Sequence, residues 1–409
     1  MLASADPRAR TRDLPAALGA VLRWSAAQDY AGFGKFDLYN SPFLEPLRRP
    51  SRRVAAVLAA LWARSPLDLR RLAGLRPSRN PKGIALFAVA YLRRRRSGGP
   101  ESDLAEARRL LAWLDEHPSP GWERKCWGYD YPWVTPHFSV PRHGPNIVVT
   151  GNVTHAFLEA FEDTGEVGYL ETARSAVSFL LEDLAAPVDT PEMRSIGYVP
   201  GSQWGVLNIN GLAASLFART ARHTGDARLA REARRLIAFL VDKQTDYGAW
   251  HYAWPARTSG VKHDNYHTGN VLDWILDYTT LTGDSSFRES FGRGLEYYRD
   301  HLFLADGTPK WRSDRVYPAD VHSAAQAVVT FAKASLEFDP AYLAEARKVA
   351  RWAVDHLQDP SGRFYYQRGR FWTKRYTLMR WCNAWMACAL SSLLLAESRL
   401  GPAAGEGRR

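Results

Sequence analysis

Cysteine is nearly absent from this 409-residue chain, which has three, Cys126, Cys382 and Cys388, at irregular spacings. That count excludes a disulfide framework and a cysteine-built zinc site, and it suits a reducing compartment. Long apolar runs are missing too. No segment approaches the roughly 20 apolar residues that a membrane-spanning helix needs, and the charged stretch Met1 to Arg12 has no apolar run of signal type behind it. The expected compartment is the cytoplasm. No glycine-rich loop links a strand to a helix as phosphate binding requires, so nucleotide-dependent transfer has no support. Nucleic-acid-binding motifs are absent, as are the Asp-rich motifs of terpene cyclases and the Cys-Cys-His ligands of zinc-dependent lanthionine cyclases.

What is abundant is aromatic and basic. Fifteen Trp, 18 Tyr and 17 Phe exceed what a helical core needs. Many lie in Gly- and Pro-containing connectors, among them Trp127, Trp204, Trp250 and Trp311, where rings suit either a sugar-binding cleft or a lid over the core. The net charge of +11 and the pI near 9.6 favour an acidic oligo- or polysaccharide as partner over nucleic acid, and leave association with a membrane surface or a synthesis complex open. Much of the excess is arginine on helix surfaces, and Arg93 to Arg96 complements a helix C-terminus.

Self-similarity carries the fold. Three junctions, Asp163-Thr164-Gly165-Glu166, His223-Thr224-Gly225-Asp226 and Leu281-Thr282-Gly283-Asp284, recur at intervals of 60 and 58 residues. Each reads as a glycine ending one helix and an acidic residue opening the next. A fourth junction at Phe338-Asp339-Pro340 and an earlier one at Gly98-Gly99-Pro100 extend the series. The helix after each junction alternates apolar and charged faces, and the helix before it is apolar nearly all round, which predicts outer and inner layers. The expected inner/outer pairs are 81–96/101–116, 146–163/167–184, 206–223/227–243, 266–281/285–302 and 320–337/340–357. A helix at 14–28 is expected to close the ring with 377–400. The whole of 1–409 then reads as a single all-α domain, an (α/α)6 toroid of six hairpins, with 29–80 irregular and an accessory helix near Ser51 to Ala63.

Four motifs carry a resemblance: Asp29-Tyr30-Ala31-Gly32-Phe33 with Asp37 and Tyr39-Asn40-Ser41-Pro42, Asp264 to Gly269, Tyr317 to Ser323 with Gln326, and Met379-Arg380-Trp381 with Ala384-Trp385-Met386. Across nearly its whole length the chain resembles the VpsJ-like exopolysaccharide biosynthesis proteins. The resemblance implies a six-hairpin, glycosidase-like fold and a polysaccharide context, without an established reaction. Members are often labelled δ-aminolevulinate dehydratase, an activity that implies a β/α barrel and a Schiff-base lysine, and this helical repeat offers neither. Asn383 and Cys388 depart from the Gln and the aromatic expected of relatives.

The candidate chemistry gathers where inner helices begin. His267 and His322 occupy matching repeat positions, each 17 residues before the acidic residue of the next junction, and Asp264 and Asp320 precede them by three and two residues. Glycoside hydrolysis needs one carboxyl group to protonate the leaving oxygen and one to activate water, so Asp264 and Asp320 form the first catalytic hypothesis. The alternative for both is an ordinary helix N-cap. Uronate C5-epimerisation or elimination needs a base such as His267, His322 or Tyr266, with Arg380 or Asn208 neutralising the substrate acid. Asn210, His155, Tyr252, Trp381 and Trp385 are further expected contacts to a sugar, with Trp127, Trp204, Trp250 and Trp311 around the rim. His263 and His267 share a helical face at i and i+4, but a lone pair of this kind is weak evidence, and neither metal nor cofactor is expected. A glycan-binding or scaffold role without catalysis is the alternative from another class.

Overall fold

The computed structural model describes residues 13–43, 57–58, 61–62, 65–135, 137–260 and 262–401. The accessory helix expected near 51–63 lies largely outside them. Twelve α-helices stand among the described residues: α1 (Leu14–Ala27), α2 (Pro81–Arg96), α3 (Ser102–Glu116), α4 (Ile147–Thr164), α5 (Val167–Glu182), α6 (Asn208–Thr224), α7 (Ala227–Asp242), α8 (Asn265–Thr282), α9 (Arg288–His301), α10 (Val321–Glu337), α11 (Tyr342–Leu357) and α12 (Trp385–Leu400). The even-numbered helices touch one another in sequence and α12 returns to α2, which closes the inner ring. Each odd-numbered helix packs outside its partner, and α1 supplies the outer partner of α12. The molecule is an (α/α)6 toroid.

The junctions work as their sequence predicts. Gly165, Gly225 and Gly283 end α4, α6 and α8 with φ near +70°, a conformation open to glycine at little cost. The preceding threonine donates to the carbonyl four residues back and accepts from the amide two residues on, at Thr164, Thr224 and Thr282 alike. Asp226 then caps α7 by accepting from the amides of Arg228 and Leu229. The inner ring is tight because Gly151, Gly211 and Gly269 sit at one height on successive inner helices. A Cβ there would come within 2.7, 2.8 and 2.7 Å of Leu212, Trp274 and Gln326 respectively, each on the next inner helix.

Residues 379–384 form a π-helical turn that leads into α12 and brings Arg380 and Trp381 to the end where the inner helices begin. At the same end, Ala319–Asp320 pairs antiparallel with Gln367–Arg368, which pairs with Thr373–Lys374. No described helix is long and apolar enough to cross a membrane.

Candidate active site

Six inner-helix N-termini converge on one mouth of the toroid, and their unpaired amides and dipoles make that mouth electropositive before any side chain is counted. His322 stands at this mouth, on the first turn of α10, with 3% of its surface exposed. Tyr266 stacks on its imidazole at 4.6 Å, and Trp381 and Trp385 close it in at 4.3 and 4.6 Å. Neither ring nitrogen has a hydrogen-bond partner. Burial holds this imidazole well below the ordinary histidine range, and Lys82, Arg380 and Lys35 push it further the same way. His322 is therefore neutral, with a free lone pair.

The three cations are unusual in what they lack. None of Lys35, Lys82 and Arg380 makes an ion pair with a carboxylate among the described residues. Arg380 is 4% and Lys82 7% exposed. Lys35 lies 3.9 Å over the Trp381 ring and Lys82 5.0 Å over Trp385, while the Arg380 guanidinium faces Tyr129 at 5.1 Å. Desolvation lowers Lys35 to about 8 and drives Lys82 well below its usual value, with Arg380 adding repulsion. Lys82 also breaks a local rule, since a cation in the first turn of a helix opposes the dipole. Buried charges without counter-ions are costly.

A second imidazole lies beside the first. His267 Nδ1 is 2.7 Å from Asp264 Oδ2, so with the proton on Nδ1 the carboxylate orients the ring and leaves Nε2 as the acceptor. Asp264 makes no side-chain cap bond to α8. Tyr266 packs on His267 at 4.0 Å as well as on His322, and Tyr252 approaches from the other side at 4.4 Å. Burial, then Asp264, raise the Tyr266 phenol well above its normal value. Asn208 joins Asp264, His267 and Tyr252 around a small recess.

Several expected contacts are placed otherwise. Asp320 does not face the cavity. It is wholly buried, accepts from its own helix at His322 N (2.8 Å), and receives Gln367 Nε2 at 2.7 Å and Trp381 Nε1 at 2.9 Å. It is a helix cap that also pins Trp381 and the 367–374 hairpin. Trp127 and Trp250 are core residues rather than rim, each donating its indole N–H to a last-turn carbonyl of an outer helix, Leu114 and Leu240, groups a helix leaves unpaired. Asn210 staples the incoming loop through Ile196 N and Val206 O. His155 belongs to the opposite mouth, between Arg219 and Arg93. His263 turns to the Tyr247 hydroxyl and the Trp250 carbonyl, away from His267, and no metal-ligand cluster of three occurs among the described residues. Trp204 is half-buried and stacked on His137 at 4.0 Å, and Trp311 lines a separate cleft beside Lys35. Lys35 and Lys82 escape the sequence reading. The one signal for them is Lys82 directly after Pro81 at a helix start.

No family model matches the sequence, and no curated protein does. Solved structures do match the fold. The cellobiose 2-epimerase from Bacillus thermoamylovorans B4167 aligns with a TM-score of 0.60 at 13% identity over 79% of this chain and 90% of that one. An unsaturated glucuronyl hydrolase specific for heparin gives 0.57 at 13% over 80% and 88%. An α-1,6-mannanase, GH76A, of Salegentibacter sp. HEL1_6, an inactive double Asp→Asn variant in complex with α-1,6-mannotriose, gives 0.57 at 13% over 79% and 90%. At such identities the likeness is one of fold: these are six-hairpin, glycosidase-like enzymes, and this chain shares their (α/α)6 architecture.

Proposed function

We propose that the protein is a carbohydrate-active enzyme that moves a proton beside the carboxylate of a uronate-bearing glycan, as a C5-epimerase or a lyase. The observation that carries this reading is the neutral, unpartnered His322 set among Lys35, Lys82 and Arg380, none of them ion-paired with a carboxylate among the described residues. The cations receive the uronate carboxylate and stabilise the negative charge that builds on it as the C5–H bond breaks. His322 takes that proton as general base. In an epimerase, the second imidazole, His267, enters the cycle protonated on both nitrogens, with Nδ1–H held by Asp264, and gives its Nε2 proton to the other face of C5. In a lyase, the C5 electron pair instead expels the O4 substituent, and the Tyr266 hydroxyl supplies the proton that leaving oxygen needs.

The hydrolytic reading is weaker because it loses its second carboxylate when Asp320 caps α10. The mannanase variant is inactivated at two consecutive aspartates, and this chain has no two consecutive aspartates. The motif resemblance to exopolysaccharide biosynthesis proteins supports a bacterial polysaccharide, or its precursor, as the source of the uronate.

Incubation with uronate polymers in heavy water tests the proposal. An epimerase leaves deuterium at C5, and a lyase leaves an unsaturated uronate that absorbs in the near ultraviolet. Release of reducing ends without exchange or absorbance would overturn the proton-transfer reading.

A further inference from the structure

A larger cleft, of about 820 Å³, opens beside the site and is assigned no part in the proton transfer. One wall is the turn of the 367–374 hairpin, whose Phe371 and Trp372 are 87% and 52% exposed. The opposite wall is Trp311, Arg315 and Tyr317. Lys35 forms the floor and joins the two regions, since its ammonium lies over Trp381 at 3.9 Å and near Trp311 at 5.9 Å. Four cations line the cleft, Lys35, Arg315, Arg370 and Lys374, and no carboxylate does. Neither Arg315 nor Arg370 forms an ion pair with a described carboxylate; the Arg315 Nε donates to the Tyr317 carbonyl at 2.8 Å and Arg370 lies over Phe371 at 5.3 Å.

Large exposed rings are costly in a chain with no use for them. Arg315 and Arg370, with no described carboxylate opposing them, define the chemistry of the occupant together with those rings: it is anionic and has flat apolar faces. The volume lies near the top of the roughly 300–1,000 Å³ range for small-molecule pockets, enough for more than one sugar ring. The hairpin is not a loose flap, because Gln367 is bonded to the buried Asp320 and Arg368 pairs with Ala319. The cleft is thus held in register with the reacting centre through the residue that caps His322's own helix.

We infer that this cleft seats the uronate units flanking the reacting one, with Arg315 and Arg370 on successive carboxylates and Phe371, Trp372 and Trp311 against the ring faces, so that the protein works on a polymer rather than a single sugar. The inference rests on the uronate reading of the site, and its test separates the two.

Binding of oligogalacturonates of two and six units is measured by calorimetry on the wild-type chain, on Arg315→Ala/Arg370→Ala and on Phe371→Ala/Trp372→Ala. Mannan hexaose and a single-stranded RNA hexamer serve as controls. The wild type is expected to hold the hexamer about tenfold more tightly than the dimer, a gain that rising salt erodes. The arginine double variant should lose the gain and weaken the dimer less than the hexamer, because a dimer reaches at most one flanking position, and the aromatic double variant should lose part of the gain. Because these four side chains are exposed and lie outside the reacting centre, the rate of C5 proton transfer on saturating dimer should be unchanged in both. A length-dependent gain that survives in the arginine variant would overturn the inference, as would equal binding of mannan hexaose or of RNA. Length-dependent binding with neither C5 exchange nor an unsaturated product on any uronate would sink the reaction and leave the cleft standing.

Discussion

The two mouths of the toroid are both rich in cations, and they differ in what answers them. At the mouth where inner helices end, each buried guanidinium has its carboxylate. Arg93 holds Glu159 through two 2.8 Å bonds, Arg219 holds Glu162, and Lys333 sits between the Asp277 oxygens at 2.8 and 2.9 Å. Those cations also complement the negative ends of the helices. At the mouth where inner helices begin, Lys82 and Arg380 are buried against positive helix ends with aromatic faces in place of carboxylates. Paired charge closes one end of the ring. Charge without a carboxylate partner, set against the helix dipole, stands at the other, and on the proposed reading that is the end that takes the ligand.

The comparison breaks most sharply at His322. Replacing it by Gln removes the neutral base while leaving the helix cap at Asp320, so C5 exchange should fall by about 10²–10⁴-fold with little loss of thermal stability. Residual exchange near the wild-type rate, read by NMR in heavy water, would take His322 out of the chemistry. The counterpart at the other mouth is Glu159→Gln, which strands Arg93. Losing one partner of a buried pair costs about 3–5 kcal/mol, so denaturant unfolding should show a large deficit while exchange per folded molecule stays the same.

Lys82→Met sharpens the contrast because stability and function should move in opposite directions. Removing a buried donor with no partner should stabilise the fold by about 1–3 kcal/mol, while kcat/KM for an acidic glycan falls. The folded Lys82 pKa is depressed, so the unfolded chain binds more protons below the unfolded value of about 10.4, and wild-type stability rises with pH there. The Met variant should show a flatter dependence. A destabilised Met variant would mean that Lys82 has a structural partner in solution and that the mouth is not strained by its charge.

How much of this was legible beforehand follows from what each signal measures. The Thr-Gly-acid junctions set the toroid because a helix stop followed by a cap is local chemistry, and the same local chemistry repeats. His267, Tyr266, Asn208, Trp381 and Arg380 sit at inner-helix starts, and the repeat brings those starts together. Asp320 misleads because a capping carboxylate and a catalytic one have the same sequence address, and only the Gln367 and Trp381 donors, 47 and 61 residues away, seal it. Trp127 and Trp250 mislead because an aromatic in a connector either lines a cleft or tucks beneath a helix end, and the Leu114 and Leu240 carbonyls decide. Lys35 has no repeat counterpart, so no periodicity points to it.

Lys35 offers the smallest of these effects and the finest test of the contrast between the mouths. Its ammonium stands at the seam between the reacting centre and the outer cleft, lowered to about 8 mainly by desolvation, with Asp320 partly restoring it. A cation that receives a carboxylate is needed in its charged form, so kcat/KM on a uronate oligomer should decline as pH rises through about 8, with kcat less affected once substrate is bound. Lys35→Arg keeps the charge across this range, because guanidinium does not titrate in proteins. The variant should have a modest penalty at pH 7, about two- to fivefold for imperfect geometry, and should lose the alkaline decline. Lys35→Met should be weak at every pH and equally free of the decline. An alkaline limb near 8 that persists in both variants would belong to another group. The paired mouth provides the control, since Lys333→Arg there should leave the pH profile of kcat/KM where it was.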